Sequence, residues 1–213
     1  MDSDKSPEEF FKELLTETEK QFLLSPIYQK YSGKWSYSVC GTRIVRSKGI
    51  IFGINWGGSE DSKPQLTMPT EKENILEYNF IRRSKTNLEK QWSLDFKQFN
   101  FNYSNLCFFR TPKQNYLTKG DYDLSLKLFK RYVDYIQPPW LLSIGVTNID
   151  VLKEFSLISN LKEHSGCQNK FKGYSGKLWD FNLFSVPHPG AHIKSEVRQS
   201  IWEEVSAEMK YLT

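Results

Sequence analysis

The stretch from Gly49 to Gly58 reads GIIFGINWGG, an apolar run that stops at a single asparagine framed by glycines. A short apolar run bounded by glycine has the character of a strand buried on both faces. Such a strand needs helices above and below it, and the rest of the chain offers them. SPEEFFKELLTETEKQFL opens on Ser6, Pro7 and Glu9, a capping box with proline at the first helical position. Phe10, Phe11, Leu14, Leu15, Thr18 and Phe22 follow at helical spacing, which predicts a helix to about Leu24. After the strand comes a polar stretch from Ser59 to Asn100, with a helix expected around Lys72 to Arg83.

Further on, YSNLCFFRTP predicts a second strand ending near Arg110, and GDYDLSLKLFKRYVDYIQPP an amphipathic helix stopped by Pro138 and Pro139. WLLSIG is the third expected strand, NIDVLKEF the helix after it, and CQNKFKGYSGKLW a short hairpin. WDFNLFSVPHPG supplies a fourth strand ending at Pro187, and SEVRQSIWEEVSAEMKYL a closing helix capped by Ser195. Trp35, Trp140, Trp179 and Trp202 are assigned to the core. Strands separated by helices imply a three-layer α/β/α fold with a central, mostly parallel four-stranded sheet, in one domain over residues 1–213.

Composition narrows the function classes. With 213 residues, 38% hydrophobic and 25% charged, the chain is expected to be globular with one buried core. A net charge of +4 permits an anionic partner without demanding one. An aromatic share of 15% suits both a packed core and base stacking. Cys40, Cys107 and Cys167 lie far apart, which disfavours a disulfide framework and favours reduced thiols. The start, MDSDKSPEEFF, is acidic where a secretory signal is basic and then apolar, and no run approaches the length of a membrane span. The expectation is a cytoplasmic monomer, nucleoid-associated if bacterial, with no membrane partner and no cofactor.

Three polar residues then stand near expected strand ends: Asn55, Asn105 and His188. In an open parallel sheet those ends share one edge, where such folds place their ligands. Two amides and an imidazole lack a nucleophile, since no Ser or Cys sits in an elbow beside a base. They suit recognition of a planar heterocycle and stabilisation of a developing negative charge. Each residue also has a plainer reading. Asn55 serves as a turn residue, Asn105 as a bridge between backbone groups, His188 as a solvated loop residue. His188 and His192 are four apart, but Pro189 and Gly190 oppose a helix presenting both to zinc, so no metal is expected. Glu60 and Asp61 read as solvated carboxylates, with a general-base role as the other option. FIRRSK, Phe80 to Lys85, reads as a wet helix face able to grip phosphates.

At these residues the chain resembles the uracil-DNA glycosylase superfamily. GINWGG resembles its first motif in the Gly-x-Asn-Pro-Gly form of the mismatch-specific and single-strand-selective branches. NLCFFRTPKQNYLT resembles the single-strand-selective branch more closely, VPHPGAH resembles the His-Pro-Ser-Pro motif, and WLLSIG sits where the family has an LLLG-type strand. The match runs from Gly49 to Lys194 in order and spacing. Trp56 stands where the family has proline, and Gly190 and Ala191 stand where it has Ser-Pro.

The resemblance implies a DNA base-excision repair enzyme that hydrolyses the N-glycosidic bond of a damaged base flipped from single- or double-stranded DNA. By it, Asn55 positions the attacking water and His188 donates to the departing base. Gly53, Ile54, Trp56, Gly57 and Asn105 hold that base, and Gly190, Ala191, His192 and Ile193 approach the strand. The aromatic that stacks on the base stays open among Phe52, Trp56, Tyr78 and Phe80. In the strictly uracil-specific branch a tyrosine two residues after the catalytic asparagine blocks the base's C5 substituent, and this chain has Gly57 there. Two rivals stand beside this reading: a non-catalytic nucleic-acid-binding module on the same fold, and a small-molecule or nucleotide hydrolase using Glu60 or Asp61.

Overall fold

The computed structural model describes residues 2–31, 33–59, 62–70, 79–168 and 170–212, with the side chains of 3, 79 and 80 outside the description. The sheet has six strands in the order β2-β1-β3-β6-β5-β4 and is flanked by helices. The strands are β1 (Ile50–Asn55), β2 (Asn102–Cys107), β3 (Leu141–Ile144), β4 (Ile158–His164), β5 (Gly173–Leu178) and β6 (Phe181–Val186). The helices are α1 (Pro7–Leu24), α2 (Pro26–Tyr31), α3 (Asn79–Trp92), α4 (Lys119–Ile136), α5 (Thr147–Glu154) and α6 (Ser195–Leu212). β1, β3 and β6 run parallel, with Ile51 opposite Leu142 and Leu142 opposite Phe184.

The expected four-stranded sheet is therefore corrected to six. The two additional strands, β4 and β5, form an antiparallel hairpin that joins β6 in a meander. β4 reads ISNLKEH and buries only His164 fully, so it carries none of the apolar weight that marks a core strand. Trp179, assigned above to the core, sits half-buried in the two-residue turn between β5 and β6, at a φ of 52°. Trp35, Trp140 and Trp202 are buried. The helix expected over Lys72 to Arg83 appears as α3, whose described part begins at Asn79 and continues to Trp92; residues 71–78 lie outside the described set.

The chain divides into two compact units. The first comprises Met1–Ser47, Gly53–Glu73 and Asn102–Gln137. In it α1 is capped as its sequence requires: the Ser6 hydroxyl accepts from the Glu9 amide at 3.3 Å, and the Glu9 carboxylate accepts from the Ser6 amide at 2.8 Å. α4 is capped the same way by Thr118 and Asp121. The buried Asp121 carboxylate also accepts from the Ile27 amide at 2.9 Å, tying α2 to α4. Phe10, Leu14, Phe108, Phe129, Tyr132 and Ile136 fill the space between these elements and are fully enclosed.

The second unit comprises Lys48–Phe52, Asn74–Phe101 and Pro138–Thr213. Its helix α3 buries Ile81, Ser84, Leu88 and Trp92, a stripe at spacings of three and four residues. Trp92 meets the rings of Trp140 and Phe184 edge-on at 5.2 and 5.4 Å. Gly49 is fixed by this packing, because a Cβ there would lie 2.0 Å from the Trp140 ring. On α6, Ile201, Trp202 and Val205 are buried. No helix among the described residues is long and apolar enough to cross a membrane.

Candidate functional site

In the first unit the sequence-derived residues gather around two amides. Asn55 ends β1, where Gly53 is buried and Ile54 half-buried. Its side-chain NH2 donates to the Thr111 hydroxyl at 2.8 Å and to the Thr111 carbonyl at 3.2 Å. A carbonyl can only accept, so the amide's orientation is fixed: nitrogen toward Thr111, oxygen away. The Thr111 hydroxyl in turn donates to the Lys113 carbonyl at 2.9 Å. Thr111 is fully buried and was not singled out by sequence, since its partner lies 56 residues away.

Asn105 lies inside β2, two residues before its end, rather than at the strand terminus. It is 1% exposed. Its NH2 makes one long bond, 3.4 Å, to the Tyr103 hydroxyl, and its carbonyl oxygen has no partner among the described residues. A buried acceptor left unpaired costs on the order of 1–3 kcal/mol. Trp56 is buried and tilts against the Tyr103 ring at 5.1 Å. Phe52, another of the aromatic candidates, is fully buried in β1. Tyr78 and the Phe80 side chain lie outside the described residues, as do Glu60 and Asp61.

The glycine turn after Asn55 is held by Arg110, which donates to the Gly57 carbonyl and to the Ser38 hydroxyl, each at 3.2 Å. Gly57 is exposed, lacks a left-handed φ, and has no described atom within 4 Å of where a Cβ would sit. Neither turn geometry nor crowding therefore demands a glycine at this position. Gly58 is tighter, with the Ser62 hydroxyl 3.0 Å from its Cβ position.

In the second unit, His188 follows β6 by two residues in the loop leading to α6. The Gly190 amide donates to His188 Nδ1 at 3.0 Å. Nδ1 must then be unprotonated, which places the proton of the neutral ring on Nε2 and makes that atom a donor. The pKa of His188 is lowered from 6.5 by desolvation of the ring, then by the positive charges of Arg83 and Arg198. The residue as a whole is exposed, so solvent damps all three effects. The loop is braced by hydrogen bonds from the Ala191 amide to the His188 carbonyl at 3.0 Å and from Arg198 to the Ala191 carbonyl at 2.8 Å. His192 and Ile193 follow in the same segment, with the Ile193 amide donating to Ala191. Sequence reasoning missed Arg198, because a helix arginine seven residues from its acceptor has no local signature.

Among the described residues, no three His, Cys, Asp or Glu side chains gather as they would around a metal ion. Cys40, Cys107 and Cys167 form no disulfide among the described residues. Burial pushes the Cys107 thiol up to about 12, so it is inert as a nucleophile at neutral pH. Comparison with protein-family models gives no match, and neither does comparison with curated proteins.

Proposed function

We propose that this chain hydrolyses the N-glycosidic bond of uracil, or of a uracil modified at C5, in DNA, as a monofunctional glycosylase resembling the uracil-DNA glycosylase superfamily. The observation that carries the reading is the buried, unpaired carbonyl oxygen of Asn105. The ring N–H of a uracil would donate to it, and the same side chain's NH2 would donate to the neighbouring ring carbonyl, a paired recognition that cytosine does not match.

The other two residues then take the roles the chemistry needs. As the glycosidic bond breaks, its electron pair leaves with the base, whose O2 gains negative charge. A neutral imidazole with its proton on Nε2 stabilises that charge by donating a hydrogen bond without giving up the proton. The sugar left behind is electron-deficient and needs only a well-placed water. Asn55, with its NH2 committed to Thr111, turns its carbonyl oxygen toward such a water and orients it as it attacks.

A second reading, base binding without hydrolysis, is favoured by Trp56. The superfamily has proline there, and here an indole packs against the ring whose hydroxyl meets Asn105. Uracil-containing single- and double-stranded oligonucleotides, incubated with the protein and then cleaved with alkali at abasic sites, separate the two. Strand scission that disappears in Asn105→Leu supports hydrolysis. Base-dependent binding without scission supports the second reading, and neither activity overturns both.

A further inference from the structure

Apart from the residues around the two amides, the first unit holds a cavity of about 440 Å³ between α1 and the segment 66–70. That volume is within the range of small-molecule sites, about 300–1,000 Å³. From α1 the cavity is lined by Glu8, Phe11 and Lys12, which share one helix face at spacings of three and four residues. Phe11 is 2% exposed, Pro69 is buried and Met68 half-buried, which gives the cavity an apolar floor. Charge is confined to the rim, where Glu8, Lys12 and Arg43 are exposed.

The wall opposite α1 is fixed without any ligand. The Gln65 amide donates to the Tyr37 carbonyl at 3.0 Å, and its side-chain oxygen accepts from the Val39 and Cys40 amides at 2.8 and 3.2 Å. Its side-chain NH2 donates to the Cys40 carbonyl at 2.9 Å. Three residues on, Met68 Sδ accepts from the Ile44 amide at 3.5 Å. The segment is thus pinned at Gln65 and at Met68, and a molecule entering the cavity need not order it first. Between the two pins stands Leu66, 78% exposed. A lone exposed leucine is ordinary, but this one borders an apolar cavity, and a molecule seated there would cover it.

The lining also sets the chemistry of that molecule. The floor offers no polar side chain, so only an apolar group enters it without losing hydrogen bonds to water. Leu66 and the thioether of Met68 adapt to a flexible chain more readily than they select a rigid ring. At the rim two cations face one carboxylate, a net charge of one positive unit that favours a single negative charge, while Glu8 opposes a second. The Lys12 ammonium makes no hydrogen bond or ion pair among the described residues.

We propose that this cavity binds a free, single-chain aliphatic monocarboxylate, with its chain against Phe11, Leu66 and Met68 and its carboxylate at Lys12 and Arg43. None of these residues belongs to the surroundings of Asn55 or Asn105, so the site stands apart from the glycosylase reading and neither falls with the other.

The test is titration calorimetry of the full chain at neutral pH with octanoate and, in parallel, octan-1-ol, which has the same chain without the charge. Octanoate is expected to bind about fivefold more tightly than the alcohol, the scale of one exposed ion pair. Heptanoate should bind roughly three- to fourfold more weakly than octanoate, the value of one buried methylene. Lys12→Gln should shrink the difference between acid and alcohol while leaving the alcohol unaffected, and Leu66→Gln should weaken both alike. Both positions are exposed, so neither variant is expected to disturb the fold. No octanoate binding by the wild type, or equal affinity for acid and alcohol, overturns the proposal. An unchanged acid-to-alcohol ratio in Lys12→Gln, or unchanged affinities in Leu66→Gln, overturns it too. A dimer that Leu66→Gln dissociates, seen by sedimentation, gives this face to a second copy of the chain and likewise overturns it.

Discussion

The amide of Gly190 donates to Nδ1 of His188 at 3.0 Å, so a backbone group two residues away decides which nitrogen of the ring carries the proton. The same closeness means that a side chain at Gly190 would press on the ring. A Cβ there would lie 3.1 Å from Nδ1 and 3.2 Å from Cε1, so the ring would have to move by a few tenths of an ångström. Gly190→Ala is expected to lower kcat for uracil excision about tenfold or more, with little change in Tm, because the displaced donor matters only as charge develops on the base. Single-turnover excision and thermal melting of the same preparation check this. Full activity in the variant would refute the role given to His188 Nε2.

Thr111 is a positioning residue for Asn55, and its hydroxyl can be removed without changing its shape. Thr111→Val deletes the 2.8 Å bond to the Asn55 amide and leaves only the longer one to the backbone carbonyl. The expected result is a several-fold fall in kcat with KM for DNA unchanged, and recovery in Thr111→Ser, which restores the hydroxyl. A KM effect with kcat intact would show that Thr111 shapes binding rather than the water.

The open space at Gly57 predicts tolerance of C5 substituents on the base. Because neither backbone conformation nor a neighbouring atom requires glycine there, Gly57→Tyr should fold. The ring should narrow the substrate range, and the ratio of 5-hydroxymethyluracil to uracil excision should drop. Comparing the two substrates at matched folded fraction gives the answer, and an unchanged ratio means that the space beside Gly57 is not the wall of the base pocket.

Stability should depend on pH through two histidines. His188 and His164 both have pKa values below 6.5. His164 is lowered by burial, then by Lys162, against weaker opposing effects of Glu208 and Glu204. The unfolded chain therefore binds more protons than the folded one in this range. Their contribution is fully present above about pH 6.5 and is lost as pH falls through the folded values. The carboxylates held low, Asp2, Glu9 and Glu13, contribute stability that is fully present above the ordinary carboxylate range and is lost as pH falls through that range toward their folded values. The urea midpoint is expected to fall between pH 7 and pH 5, and to fall less in His164→Gln, which can still hydrogen-bond Ser175. Parallel curves for the two proteins would remove His164 from this account.

Most of the helical frame was legible because its signals are local. Ser6 with Glu9, the apolar spacing of α1 and α4, and the prolines after Ile136 all lie within a few residues of what they specify. β4 was not legible as a strand because it is an edge strand whose partner face is mostly solvent. The continuation of α3 from Arg83 to Trp92 was not legible because its buried stripe includes Ser84 and is flanked by charge, which blurs the helical period. At the candidate site the side chains on strands were visible, but their supports were not. Thr111, Arg110 and Arg198 act on residues that the fold, rather than the chain order, brings to them.

The Asp121 carboxylate joins two helices of unequal persistence. α2 has six residues, far below the length at which a helix holds together in water by itself. Its Ile27 amide finds its acceptor on α4, at the side chain that also closes the α4 cap. The short helix therefore has no independent melting. Whenever the first turn of α4 opens, Ile27 loses its acceptor, so the hydrogen-exchange rate of that one amide reads out the opening of a helix to which it does not belong.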